Sequence, residues 1–420
     1  MALLLAVIVG KATEWIPGIT GLPLGKVAFL FTVAYTYKVR RSLMPVRVWS
    51  LPIARPAMAF LILSIASITF SIWKSTTLAE MQSSFIYLIT FILLLKITQS
   101  LADVERLLTA LAISAVSLAA GVILNYGGGR AHINDNFDPN DIAYILDTLM
   151  PVVIALGVAH SRRRKWLAYG LCILMIVAVL LTGSRGGVIG FGVILLAVVI
   201  FPLGLSKTGR LQRFSIGSTV FKILLIAALA VAIWGSLPSE TKERLATLTD
   251  LQNDYNAGHT NASRSWIWRR HIGLALQRPI GYGMGSAPAA DGLAGGQYRT
   301  SHNSVVQSFI ELGALGLCLF LTSYCLAWKH LTALGRRLRE STDFRATKIS
   351  LYARSLNIAL LGNLSAGFFL SQAYSACLWM TVAVSAALVR VAMTETAQPG
   401  QSADIPVARS SIRTGRKAPV

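Results

Sequence analysis

Long apolar runs separated by short polar segments dominate the chain. Many of these runs reach the roughly 17–25 residues that cross a bilayer as a helix. Lipid offers no partner to bare backbone N–H and C=O groups, so such runs must be helical. The pattern predicts an all-α, polytopic integral membrane protein with about twelve transmembrane helices. The predicted spans are approximately 1–9, 24–37, 57–73, 84–98, 107–124, 142–159, 166–182, 187–205, 219–235, 304–328, 351–370 and 373–393.

One polar stretch, 236–303, is much longer than the others and divides the chain. We therefore predict nine spans within 1–235, a large helical external loop over 236–303, and three spans within 304–393. The loop pattern indicates one helix over 239–252 and an amphipathic helix over 262–277, whose Trp and Arg residues suit a membrane interface. The polar tail 394–420 is predicted to be disordered and cytoplasmic.

The charge of the chain follows its predicted topology. The net charge is +21, and more than two thirds of the 39 lysines and arginines follow even-numbered spans or lie in the C-terminal tail. The densest basic clusters are 161–165 and 335–339. The positive-inside rule assigns this side and both termini to the cytoplasm. The charge thus indicates orientation and contact with membrane lipids, and we expect no nucleic-acid partner.

His302 stands where the tenth predicted span begins. The helix dipole there disfavours an imidazolium ion and favours a neutral, proton-accepting ring. On a helical wheel, Gly313 and Gly316 lie within about 20° and 40° of His302. Small residues on that face would let another helix approach closely and so fix the histidine. Glu311 falls on the opposite face, which makes it a poor orienting partner.

Three arginines predicted on the same side of the membrane could bind an anion. Arg185 precedes two glycines where the eighth span begins, and the free N–H groups of a helix start attract anions. Arg244 and Arg264 belong to the two predicted loop helices. The planar fork of arginine suits the oxygens of a diphosphate. Contact with lipid head groups remains an alternative for each of them.

The acidic segment DNFDPND contains Asp135, Asp138 and Asp141. Their spacing fits no calcium-binding loop. We predict instead that Asn140 and Asp141, which follow Pro139, cap the sixth span. These residues therefore indicate no metal site.

At these residues the chain resembles the O-antigen ligase and polymerase superfamily of bacterial envelope enzymes. The resemblance rests on His302-Asn303, then nine residues, then Gly313-Ala314-Leu315-Gly316. Three more elements resemble the family in the same order: DPND at 138–141, SRGG at 184–187, and Arg264 followed by Trp268 and PIGYG at 279–283. Together they cover roughly residues 130–320.

This resemblance implies an undecaprenyl-diphosphate-linked glycan donor, reached from the outer leaflet of the bacterial inner membrane. Arg185 and Arg264, and less directly Arg244, would hold the diphosphate on the periplasmic side. His302 would act as the base on an acceptor hydroxyl. The family implies no cofactor, neither metal nor nucleotide, and direct attack at the anomeric carbon would invert its configuration.

The sequence leaves three functions open. A ligase would transfer the glycan to lipid A-core, and the His-Gly pattern slightly favours this reaction. A polymerase would transfer the growing chain to the next lipid-linked repeat unit at the same site. A transporter would also fit twelve spans, but transporters usually contain internal repeats and charges at mid-membrane, neither of which the sequence displays.

Overall fold

The computed structural model describes residues 1–10, 22–43, 45–131, 138–205, 263–338 and 343–396, with a few single positions besides. These residues form thirteen α-helices, and apart from one bridge between Leu205 and Leu211 they contain no β-structure. In chain order the helices are α1 Ala2–Gly10, α2 Leu24–Val39, α3 Ala54–Ala66, α4 Lys74–Ile97, α5 Leu101–Leu124, α6 Pro139–His160, α7 Arg162–Leu181, α8 Arg185–Ile200, α9 Arg264–Gln277, α10 Ala287–Leu293, α11 Ser304–Arg337, α12 Phe344–Gly367 and α13 Ala376–Thr396.

Six of these helices, α4, α5, α6, α7, α11 and α13, are long and apolar enough to cross a membrane. Helix α8 and the segment formed by α3 with the 3-10 turn that follows it are apolar but shorter. These spans confirm a multi-span helical membrane protein, whereas the predicted number of twelve is not shown. The predicted ninth span, the loop helix 239–252 and the tail from 397 onward lie outside the described residues.

Helix α6 forms the centre of the bundle, where it packs against α5, α7, α8 and α12. It is buried along most of its length. Its approach to α7 requires a small side chain, because a Cβ atom on Gly157 would collide with Ala168. A lipid-embedded helix gains little from hydrophobic burial, so close packing of this kind supplies much of the cohesion.

The two ends of the bundle differ in composition. One end, called the histidine end, holds His302 with the starts of α4, α6, α8, α11 and α13 and the ends of α3, α7 and α12. Hydrogen bonds across it include Ser304 Oγ to the Leu370 carbonyl oxygen and Arg130 Nε to the Thr182 carbonyl oxygen. The opposite end, called the basic end, carries the described parts of both basic clusters, at the start of α7 and the end of α11.

Helix α11 is interrupted at Gly313, where φ is 67° and ψ is −164°. The 278–286 loop, which follows α9, fills the interruption. The Ala314 N–H donates to the Pro279 carbonyl oxygen at 2.9 Å, and the Tyr282 N–H donates to the Ile310 carbonyl oxygen at 3.0 Å. A loop backbone thus completes the hydrogen bonds that the broken helix leaves open.

The predicted role of the two glycines is therefore wrong in its geometry. A helical wheel assumes an unbroken helix, and the break at Gly313 removes the common face expected for Gly313, Gly316 and His302. The close approach at Gly313 comes from the Pro279 carbonyl group, with which a Cβ atom would collide, and not from another helix. Gly316 is buried, and a Cβ atom there would collide with Leu312 on the other side of the break.

Candidate active site

His302 lies just before α11 and adopts an unusual backbone conformation, with φ of 45°. Non-glycine residues rarely occupy this left-handed region, and those that do are concentrated at functional sites. The His302 N–H donates to Ser371 Oγ at 2.9 Å, and its Nε2 lies 3.1 Å from Thr300 Oγ1. Asn303 then caps the helix by accepting from the N–H groups of Val305 and Val306. These bonds hold the ring at the mouth of α11.

The loop at 368–372, between α12 and α13, organises the site. Ser371 accepts the hydrogen bond from His302. The Gln372 N–H donates to Ser304 Oγ at 3.0 Å, and Gln372 Nε2 donates to Asp141 Oδ1 at 2.6 Å. The loop therefore joins the starts of α6 and α11 to the histidine.

Arg264 is the first residue of α9, a helix that confirms the amphipathic helix predicted over 262–277. Ser263 caps the helix by accepting from the Trp266 N–H. The Arg264 guanidinium lies over the Phe369 ring, 6.0 Å from its centroid. Arg264 thus stands against the same loop that binds His302.

The start of α8, where Arg185 lies, meets this loop from another direction. Arg185 is the first residue of α8, and Ser184 caps that helix by accepting from the Gly187 N–H at 3.1 Å. The next residue, Gly186, is so close to Phe369 that an added Cβ atom would lie 2.9 Å from the phenylalanine Cβ. Phe369 therefore lies between the start of α8 and Arg264. Arg244, the third predicted arginine, lies outside the described residues.

The surroundings of His302 favour its neutral form. Burial lowers the pKa of the imidazole, and the positive charges of Arg264 and Arg299 lower it further. The carboxylate of Asp138 acts in the opposite direction. The net direction is downward from an ordinary value near 6.5, which leaves the ring a proton acceptor at neutral pH.

A buried polar network lies directly behind His302. His271 Nδ1 is 2.8 Å from Ser301 Oγ, and its Nε2 is 3.7 Å from Asp291 Oδ1. Arg270 Nε pairs with the same carboxylate oxygen at 2.8 Å. Burial lowers the pKa of His271 to about 4 although Asp291 raises it, so this ring is also neutral at pH 7. Through Ser301, the network fixes the residue next to the candidate base.

The start of α6 corrects a second prediction. Asp138, and not Asn140 or Asp141, is the capping residue, because its Oδ1 accepts from the Asn140 N–H at 2.7 Å. Pro139 supplies the first helical position, where proline requires no N–H. Asn140 instead accepts from Arg130, whose guanidinium also bonds to the Thr182 carbonyl oxygen. Asp135 lies outside the described residues, among which no cluster of metal-binding side chains occurs.

Several residues of the site escaped the sequence analysis. Ser371 and Gln372 are the polar pair between the two last predicted spans, and that position was their only signal. Phe369 resembles any other apolar residue at a span end. His271 lies within an arginine-rich amphipathic stretch, where nothing distinguishes a buried histidine from an interfacial one.

Arg264, His302 and the start of α8, which begins with Arg185, thus all lie around one loop. Residues 170–321 match the family model described as O-Antigen ligase. Over this segment the chain is similar to the O-antigen ligase family. This segment contains His302, Arg185, Arg264 and both glycines, so the resemblance seen in the sequence is confirmed over it. The 368–372 loop and the start of α6 lie outside the match.

Curated relatives agree with this assignment at a distance. A protein of Rickettsia conorii named "Putative polysaccharide ligase RC0486" is 27% identical over 244 residues, which cover 55% of this chain and 53% of that protein. "Putative polysaccharide ligase RP358" of Rickettsia prowazekii is 28% identical over 227 residues, covering 49% of this chain and 54% of that protein. The chain thus spans about half the length of the curated relatives it matches.

Proposed function

We propose that the protein is an O-antigen ligase-like glycosyltransferase, which moves an undecaprenyl-diphosphate-linked glycan onto an acceptor sugar hydroxyl at the periplasmic face. One observation carries this proposal. The start of α8 with Arg185, the start of α9 with Arg264, and His302 all meet at the 368–372 loop. An anion-binding pair beside a neutral base is what transfer from a lipid diphosphate requires, and the family match supports the same class.

The reaction follows from these groups. The acceptor hydroxyl oxygen attacks the anomeric carbon, and His302 takes the hydroxyl proton, an assistance that contributes roughly 10²–10⁴-fold in rate. The bond between the anomeric carbon and the phosphate oxygen breaks, and its electron pair leaves with undecaprenyl diphosphate. Arg185 and Arg264 stabilise the negative charge that develops there. Attack opposite the leaving group inverts the anomeric configuration, and no metal is needed in this scheme.

The charge distribution supports the orientation. The site lies at the histidine end, and the described basic clusters lie at the other end, which the positive-inside rule assigns to the cytoplasm. We therefore assign the site to the periplasmic side of the inner membrane, where a donor in the outer leaflet would reach it.

The acceptor separates two variants of this function. A ligase would use lipid A-core, and a polymerase would use the next lipid-linked repeat unit. A deletion strain distinguishes them: loss of glycan attached to lipid A indicates the ligase, which we favour, whereas shortened glycan chains indicate the polymerase.

A reconstituted assay tests the proposal directly. Full-length protein in lipid nanodiscs, given donor and acceptor without any ion gradient, should release undecaprenyl diphosphate and form a product of inverted anomeric configuration. Arg185→Gln and Arg264→Gln should each lower kcat/KM for the donor about ten-fold or more, since a hydrogen bond to a charged group contributes roughly 1.5–3 kcal/mol. The control Arg164→Gln, at an exposed position of the basic end, should be unchanged. Gradient-dependent movement of glycan without chemical transfer would indicate a transporter instead.

A further inference from the structure

A cavity of about 300 Å³ lies next to the 368–372 loop, between α1, α4, α6, α11 and α13. Its polar lining includes Glu80, Asp141, Gln307, Ser371, Gln372 and Tyr374. Glu80 is exposed and Gln307 is buried, so the cavity extends from the surface into the bundle. The transfer scheme above assigns no chemical role to these side chains.

The cavity adjoins the candidate base. Ser371, which lines it, accepts the hydrogen bond from the His302 N–H at 2.9 Å. Asp141 lies one helical turn below Asp138, the carboxylate that acts on the His302 ring. The cavity is therefore separated from His302 by one side chain of the loop.

Its chemistry differs from that of the arginine side. The lining contains two carboxylates, two amides and hydroxyl groups, and among the described residues that form it there is neither lysine nor arginine. Carboxylates accept hydrogen bonds from hydroxyl and ammonium groups but repel phosphate. Arg264, by contrast, stands against Phe369 on the same loop. The loop thus separates a basic region from an acidic one.

The side-chain amides of Gln307 and Gln372 are each fixed by one hydrogen bond, which leaves the other polar atom of the amide available to a ligand. Gln307 Oε1 accepts from the Ala373 N–H at 3.1 Å, which leaves its NH₂ group as a donor. Gln372 Nε2 donates to Asp141, which leaves its carbonyl oxygen as an acceptor. A small site with fixed donors and acceptors suits a ring that carries several hydroxyl groups. The volume lies at the lower end of the about 300–1,000 Å³ typical of ligand sites, as expected for one sugar ring.

We propose that this cavity is the acceptor subsite, and that it binds one neutral or amino-substituted sugar ring while excluding acidic sugars. This inference rests on the proposed function and adds to it the class of the acceptor residue. The acceptor hydroxyl would then reach His302 across Ser371, and the donor diphosphate would remain on the arginine side.

The test measures sugar binding and needs no transfer reaction. Full-length protein in nanodiscs is examined by saturation-transfer difference NMR with D-glucose, D-glucosamine and D-glucuronate, and by ³¹P line broadening with inorganic pyrophosphate. Glucose and glucosamine should receive saturation and glucuronate should not. The double variant Glu80→Gln/Asp141→Asn should lose this discrimination, because it removes the charges and keeps the shape.

A filling variant gives a second measurement. Ser375 lines the cavity, and Ser375→Phe should abolish the sugar signals while leaving pyrophosphate binding unchanged. The matched control Thr332→Phe fills a separate cavity of about 370 Å³ at the basic end and should leave both unchanged. If Ser375→Phe fails to elute as a monodisperse protein, the subsite is tested by the Glu80→Gln/Asp141→Asn variant alone.

Equal signals from glucuronate and glucosamine in the wild-type protein would overturn the subsite, as would sugar signals that persist in a folded Ser375→Phe protein. Failure of pyrophosphate to bind the wild-type protein would contradict the proposed donor site instead. The two proposals can therefore fail separately.

Discussion

The two ends of the bundle are built in different ways. At the basic end, regular helices meet through ordinary side-chain contacts: Glu105 Oε1 accepts from Lys348 Nζ and from the Tyr352 hydroxyl, both at 2.9 Å. At the histidine end, the backbone itself departs from regular structure. His302 has a positive φ, and α11 breaks at Gly313 to bond with a loop.

This difference points to the histidine end as the functional part of the fold. A non-glycine residue with positive φ costs roughly 1–3 kcal/mol and persists only where its surroundings impose it. At the histidine end those surroundings are visible, because Ser371, Asn303 and the network of His271 hold the segment around His302 on three sides. The described part of the basic end has no comparable distortion, which fits a role in orientation and lipid contact.

The largest effect is expected at the break in α11. Gly313→Ala would place a methyl group against the Pro279 carbonyl oxygen at a positive φ, so the free energy of unfolding should fall by at least about 3 kcal/mol. Gly170→Ala, in open space on α7, is the control and should be tolerated. The stability of both variants is measured by the yield of monodisperse protein and by thermal unfolding. Equal stability of the two variants would show that the break is dispensable.

This glycine also marks the limit of sequence reasoning. The helical class, the bounds of α9 and the place of His302 before α11 follow from local patterns that the sequence displays. The break does not, because it depends on contact with the 278–286 loop, which is distant in the chain. The same holds for Ser371, which meets His302 only after α11 and α12 have packed together. The predicted contact of the two glycines with another helix was wrong because a helical wheel assumes a continuous helix. It cannot represent a loop that inserts at a break.

The buried network predicts a pH dependence of stability. The pKa of His271 is about 4 in the folded protein and near 6.5 when unfolded, so the unfolded chain binds the extra proton between these values. By this shift, the neutral His271 contributes about 3 kcal/mol to the free energy of unfolding. This contribution is complete above pH 6.5 and is lost as the pH falls toward 4. In His271→Gln, the free energy of unfolding should vary less over this window. Identical pH profiles for variant and wild type would exclude a buried neutral His271.

A smaller effect should appear in the pH dependence of transfer. Arg299 lowers the pKa of His302 and Asp138 raises it. Because the neutral ring is the proposed active form, Arg299→Gln should move the acidic limb of kcat/KM to higher pH, and Asp138→Asn should move it to lower pH. If both variants shift the acidic limb in the same direction, or neither shifts it, His302 is not the group that titrates there.

We propose above that His302, at the histidine end, is the base of the transfer reaction. The most direct test of this role is the rate of undecaprenyl diphosphate release by His302→Ala in nanodiscs, compared with His330→Ala, a variant of the same helix toward its basic end. His302→Ala should lower the rate about 10²–10⁴-fold in a protein that still folds and binds donor, and His330→Ala should leave the rate normal. A folded His302→Ala protein that transfers glycan at the wild-type rate would contradict this role.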